Sequence, residues 1–108
     1  MNGSFEIREF VENGRSPFRE WLDDLDEVTA ARVEKCILRL EVGNFGAAKA
    51  LQTGVFELRM DFGPGYRVYY GREGRTIIIL LGGGSKRRQD ADIAAAVKRW
   101  NRYKQTRT

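Results

Sequence analysis

The sequence predicts an α+β domain in the order β-α-α-β-β-β-α: an antiparallel sheet with an N-terminal helical hairpin packed on it and a C-terminal helix. Two patterns carry this reading. Between Val55 and Leu81 apolar residues alternate with polar ones and are interrupted by glycine turns, which is the period of strands. On either side the apolar residues recur at i, i+3, i+4 and i+7, which is the period of helices.

Phe5 and Ile7, extended by Phe10, mark an initial strand. Ser16-Pro17 starts the first helix, with a capping hydroxyl followed by proline at the first helical position. Phe18, Trp21, Leu22 and Leu25 then form one buried stripe. A second helix runs from about Glu27 to Val42, burying Val33, Cys36, Ile37 and Leu40, and Gly43-Asn44 stops it. In the first meander strand Phe56, Leu58, Met60 and Phe62 make the core face, with Glu57, Arg59 and Asp61 on the other. After the Gly63-Pro64-Gly65 turn, Tyr66, Val68 and Tyr70 alternate with Arg67 and Tyr69, so Arg59 and Arg67 share the outer face of one hairpin. A turn at Glu73-Gly74 leads to Thr76–Leu81, an unbroken apolar run of the kind found in a central strand covered on both sides. That strand empties into Gly82-Gly83-Gly84 and then Ser85-Lys86-Arg87-Arg88. The last helix spans roughly Gln89 to Tyr103, with Asp90 and Asp92 complementing the dipole of its first turn and Ile93, Val97 and Trp100 facing inward. The tail from about Gln105 is expected to fray.

A chain of 108 residues forms one domain with a single core. No apolar run approaches the roughly 20 residues of a membrane span, and Met1 to Glu12 carries acids in place of a signal peptide's apolar region, so a cytoplasmic location without membrane attachment is expected. Cys36 is the single cysteine and there is no histidine. A buried, inert thiol is the expectation for Cys36, and neither a zinc site nor a Cys–His nucleophile pair can be assembled, so no metal and no cofactor are expected.

The net charge of +4 conceals an asymmetry. Ser85 to Thr108 holds eight Lys/Arg against two Asp, or +6, while the remaining residues hold eleven bases against thirteen acids, or −2. A positive potential focused at one end favours an anionic partner, nucleic acid first among them. Arg88, Lys98, Arg99 and Arg102 are candidate RNA-binding residues on that ground. The plainer reading of Lys98, Arg99, Arg102 and Lys104 is the solvated face of a terminal helix.

The segment RLEVGNFGAAKALQTGVFELRMDFGPGYRVYY, followed by LLGGGSKRRQDADI, resembles the RelE/ParE toxin superfamily, in particular the addiction module killer proteins related to HigB toxins. The resemblance spans Phe5 to about Tyr103, and its most specific parts are the GxxELR block at Gly54–Arg59 and the GxGYRxYY block at Gly63–Tyr70. It implies a RelE-like fold and a toxin of a type II toxin–antitoxin module. It also implies a cognate antitoxin, often a helix-turn-helix protein, and, for the RelE branch, cleavage of mRNA on the ribosome.

Metal-free RNA cleavage uses the substrate's own 2′-hydroxyl as nucleophile. The protein must help deprotonate it, stabilise a phosphorane-like state and assist the leaving 5′-oxygen. Guanidinium groups suit the middle task because they remain cationic and meet two phosphate oxygens at once. Carried over by motif, Arg67 and Arg87 take the phosphate and transition-state charge, while Lys86 or Arg59 orients the backbone. RelE toxins carry a tyrosine near the start of the last helix, where this chain reads Asp90-Ala91-Asp92-Ile93. Tyr69, Gln89 and Asp90 are the substitutes for proton transfer, although Tyr69 also reads as a cross-strand packing residue and Arg59 as a member of an ion-pair cluster with Glu57 and Asp61. Three functions stay open: a ribosome-dependent endoribonuclease, a ParE-like poison of DNA gyrase, and a non-catalytic module that binds antitoxin or nucleic acid.

Overall fold

In the computed structural model, which describes residues 4–106, the first two helices begin at side-chain caps. The Ser16 hydroxyl accepts from Arg19 N (3.0 Å) ahead of α1 (Pro17–Asp23), and the Asp26 carboxylate accepts from Thr29 N (3.1 Å) ahead of α2 (Glu27–Glu41). Each cap satisfies an amide that the first turn of a helix leaves without an intrahelical acceptor. The strands are β1 (Glu6–Glu9), β2 (Ala48–Ala50), β3 (Val55–Arg59), β4 (Tyr66–Glu73) and β5 (Ile77–Ser85), and α3 (Gln89–Gln105) follows them. The expected fraying of the tail falls partly on residues 107–108, outside the described residues; the helix itself extends to Gln105.

The result is an α+β fold with a five-stranded mixed sheet in the order β1-β5-β4-β3-β2. Two features differ from the wholly antiparallel meander read from sequence. First, β1 lies parallel to β5, with Glu6 opposite Ile77 and Glu9 opposite Leu80. The helical hairpin carries the chain to the far edge of the sheet, and four antiparallel strands then walk back to β1. Second, β2 is an additional edge strand, Ala48 to Ala50 against Leu58 to Phe56. Its Ala-Lys-Ala sequence has no alternating apolar pattern and little strand propensity.

The sheet is covered on both faces. Leu58, Val68, Tyr70, Ile78 and Leu80 pack against Phe18 and Leu22 of α1 and Val33, Ile37 and Leu40 of α2. On the opposite face Val55, Tyr69, Ile79 and Leu81 pack against Ala96 and Trp100 of α3. The hairpin face expected to be outer is therefore a second core, and it buries Glu57 (0% exposed), Arg67 (7%) and Tyr69 (0%). Cys36 is half-buried, not enclosed. No helix among the described residues is long and apolar enough to cross a membrane.

The three glycines after Leu81 do not end the strand; they continue β5 to Ser85. A Cβ on Gly83 would collide with the Trp21 ring, one on Gly84 with the Asp92 carboxylate, and one on Gly82 would lie 2.7 Å from Arg99 Nη1. Each glycine thus admits a large side chain from a helix on the face it points to. Tyr69 stands opposite Gly82 but Tyr70 opposite Leu80, so Leu81 is an extra residue in the ladder, a β-bulge. Leu81 and Gly82 consequently face the same layer. Beyond the bulge the side-chain alternation is inverted, and the strand delivers Lys86, Arg87 and Arg88, a single 3-10 turn, to the start of α3.

Because the Trp21 ring occupies the space of a side chain at Gly83, Gly83→Ala is expected to destabilise the domain by about 1–3 kcal/mol through overpacking. Urea denaturation reads this directly, and an unchanged midpoint would refute the packing account.

Candidate nucleic-acid interface

The end of the β3–β4 hairpin is shaped by its register. Arg59 is the cross-strand partner of Arg67, so the two arginines sit side by side where the strands part at Gly63–Gly65. Their like charges are kept apart by different environments. Arg59 is exposed and, among the described residues, makes no ion pair. Arg67 is drawn inward: its Nη1 donates to Gly65 O at 2.9 Å, and its Nε lies 3.4 Å from Glu57 Oε2, an ion pair too poorly aimed to be a hydrogen bond. Lys86 closes the group from the end of β5. An open cleft of about 340 Å³ is lined by Arg59, Tyr66, Arg67 and Lys86 around that turn. A second cleft, about 470 Å³, adjoins it through Lys86 and continues over Arg87, Arg88, Gln89 and Asp90. The second cleft sits at the amino end of a 17-residue helix, where the helix dipole adds to the positive potential.

Beneath the clefts lies a polar network that the sequence reading did not anticipate. Glu57, taken there for a surface partner of Arg59, is fully buried, and its Oε2 accepts from Gln89 Nε2 at 2.7 Å. Glu57 Oε1, the Tyr69 hydroxyl and Asp92 Oδ2 are buried without a hydrogen-bond partner among the described residues. Burial, the Glu57 and Asp92 carboxylates and a Glu57 contact push the Tyr69 phenol well above its ordinary range, with Arg67 opposing. Tyr69 is thus a neutral phenol enclosed under α3, in contact with neither cleft. Gln89 is half-buried and held by Glu57, whereas Asp90 is exposed on the second cleft. The signal that would have located Glu57 was Trp100 on α3, whose bulk requires a sheet face to cover.

The basic carboxyl end divides in two. Lys86, Arg87 and Arg88 are exposed on the clefts. Arg99 is half-buried, donates to Leu81 O at 3.0 Å, and has its pKa lowered chiefly by burial. Arg102 makes a two-pronged pair with Glu12 at 2.7 and 2.8 Å, and Lys98 is exposed farther along the helix. At 1.5 Å per residue Arg102 stands about 20 Å from Arg88, and none of Lys98, Arg99 and Arg102 lines either cleft. Among the described residues no group of three or more His, Cys, Asp or Glu could hold a metal ion.

Fold and site together define an α+β domain that gathers exposed cations around one hairpin end and the start of its last helix. No family model matches the chain. An uncharacterized protein of Haemophilus influenzae (strain ATCC 51907 / DSM 11121 / KW20 / Rd) is 46% identical over 80 residues, which cover 73% of this chain and 81% of that protein. The chain belongs to the same family as that protein.

The Asp92 carboxyl is raised above its ordinary range, burial outweighing the opposing effects of Arg88 and Arg99. The folded state therefore holds the proton more tightly than the unfolded state, and stability is lost as pH rises through the raised pKa. Asp92→Asn is expected to raise Tm at pH 7, with the difference closing as pH falls below about 4, the unfolded value. A difference independent of pH would contradict this.

Proposed function

We propose that the protein is the toxin of a type II toxin–antitoxin module, of RelE/ParE type, acting as a metal-independent endoribonuclease on mRNA bound to the ribosome. The observation that carries the reading is the grouping of exposed Arg59 and Lys86 around an Arg67 whose orientation is fixed from below by Glu57 and Gly65 O, with Arg87 on the adjoining cleft. The GxxELR and GYR blocks supply Arg59 and Arg67 of this group, and a mixed sheet flanked by a helical hairpin and a C-terminal helix is compatible with a RelE-like topology.

In this reading a scissile phosphate enters the first cleft and meets the outward edge of Arg67, a donor that loses little freedom on binding because its guanidinium is already held. Arg87 approaches from the 3-10 turn and shares the charge that develops on the phosphate oxygens as the 2′-oxygen attacks. Arg59 and Lys86 hold the flanking backbone. The enclosed Tyr69 and the engaged Gln89 take no part in proton transfer, which leaves Asp90 and Lys86, both exposed on the clefts, as the groups able to move a proton. The cognate antitoxin, a helix-turn-helix protein in this reading, neutralises the toxin by laying an acidic segment over the same cations.

Lys86 and Arg87 are exposed and structurally unengaged, so their removal tests function without disturbing the fold. Arg67→Ala would leave the buried Glu57 unpaired, at a cost of about 3–5 kcal/mol, and would confound loss of activity with loss of structure. Expression of the protein alone is expected to arrest growth and create new mRNA 5′ ends inside translated frames. Both effects should vanish in Lys86→Ala/Arg87→Ala at unchanged Tm. Persistent cleavage in that variant would refute the site; arrest with intact mRNA would point to gyrase, and no arrest to a binding module.

A further inference from the structure

The outer face of α2 carries Arg32, Lys35 and Arg39 at i, i+3 and i+7, a spacing that places all three on one side of the helix. All three are exposed. They line an open cleft of about 350 Å³ together with Arg59 and Phe62, and Asp61 is the one carboxylate on its walls. This cleft shares Arg59, Met60, Asp61 and Phe62 with the cleft that contains Arg67 and Lys86, so the two are continuous. A cationic path therefore leads from the middle of α2, past the hairpin end, to the start of α3.

Ion pairing divides the cations of the surface into two groups. Arg8, Arg15, Arg19 and Arg102 each meet a carboxylate at 2.6–2.7 Å. Among the described residues Lys35, Arg39, Arg59, Lys86 and Arg87 form no ion pair. The first group is neutralised locally by its carboxylates, whereas the second keeps its charge free to face a partner. Arg32 has a separate role: its guanidinium covers the Phe62 ring at 4.0 Å from the centroid. An arginine held over an aromatic ring offers an outward surface on which an unpaired base can stack, which an acidic peptide has no use for.

We propose that the α2 cleft is a second binding segment for single-stranded RNA, engaging the phosphates and one base of the strand on one side of the phosphate held at Arg67 and Lys86. This inference rests on the RNA reading of the main clefts. It adds to them a footprint that extends over α2, with Lys35 and Arg39 contacting phosphates and Arg32 on Phe62 contacting a base.

The test uses the full chain and labelled 2′-O-methyl RNA, which lacks the nucleophile and is not cut, in lengths of about 4 and 12 nucleotides. Dissociation constants are measured across a salt series. For single strands the logarithmic salt slope falls by roughly 0.7 for each phosphate contact removed. Arg32→Gln/Lys35→Gln/Arg39→Gln is expected to weaken the 12-mer about tenfold or more and to flatten its slope by about 1.4, leaving the 4-mer unchanged. Lys86→Gln/Arg87→Gln should weaken both lengths. Unchanged 12-mer binding in the α2 variant, with weakened binding in the Lys86/Arg87 variant, overturns the inference and leaves the reading of the main clefts standing. No RNA binding by the unaltered protein overturns both. A loss of polyglutamate binding larger than the loss of 12-mer binding also overturns it, and assigns α2 to a protein partner.

Discussion

The buried ion pair between Glu57 and Arg67 is the constraint on which the cationic end of the molecule depends. Removing a carboxylate and a guanidinium from water costs several kcal/mol for each ion, and only close opposite charge and further hydrogen bonds offset it. Here the offsets come from three different elements. Glu57 belongs to β3 and takes a hydrogen bond from Gln89, the first residue of α3; Arg67 belongs to β4 and donates to the carbonyl of Gly65 in the hairpin turn. One interaction therefore ties together two strands, their turn and the start of the last helix, the same elements that carry the exposed cations. Those cations can be flexible because the frame that displays them is fixed.

The distribution of charge follows the same division between holding the fold and facing outward. Most of the arginines away from the clefts are matched, by Glu6, Glu20, Glu9 or Glu12, or spread over aromatic rings as Arg72 is over Phe5 and Phe45. Such exposed pairs contribute little to stability individually. Their effect is to neutralise charge locally around Arg8, Arg15, Arg19 and Arg102.

Helix periodicity made α1 and α2 legible, because Phe18, Trp21 and Leu22 or Val33, Ile37 and Leu40 can meet a sheet in only one orientation. Alternation likewise separated the two faces of β3 and β4, but it gave no measure of how far either face is covered. Glu57 and Tyr69 were read as outward for that reason, and the bulk of α3 that encloses them acts across more than thirty positions of chain. The Gly82–Gly84 run had a local meaning, the end of a strand, and a tertiary one, room for Trp21, Arg99 and Asp92; the tertiary one prevailed. The pairing of Arg59 with Arg67 was legible, because alternation on the two arms of one hairpin puts them on the same face. Arg99 is held by Leu81 O and Arg102 by Glu12, partners that a count of charges along the chain does not reveal. Arg32, Lys35 and Arg39 were passed over because a basic stripe among the acids of α2 looks solvated until the fold sets it beside Arg59. The parallel placement of β1 was beyond reach, since the length of a helical connection does not fix the direction in which the chain returns.

The pairing of β1 with β5 also orders the assembly of the domain in time. Strands β2 to β5 are neighbours in sequence and can zip together hairpin by hairpin, and all the residues of the two main clefts lie within them or directly after. Glu6 must find Ile77, a contact whose loop spans most of the polypeptide and whose closure entropy is correspondingly large. Strand β1 is thus made well before the strand that gives it a place in the sheet. Until β5 has emerged, β1 has no edge on which to settle.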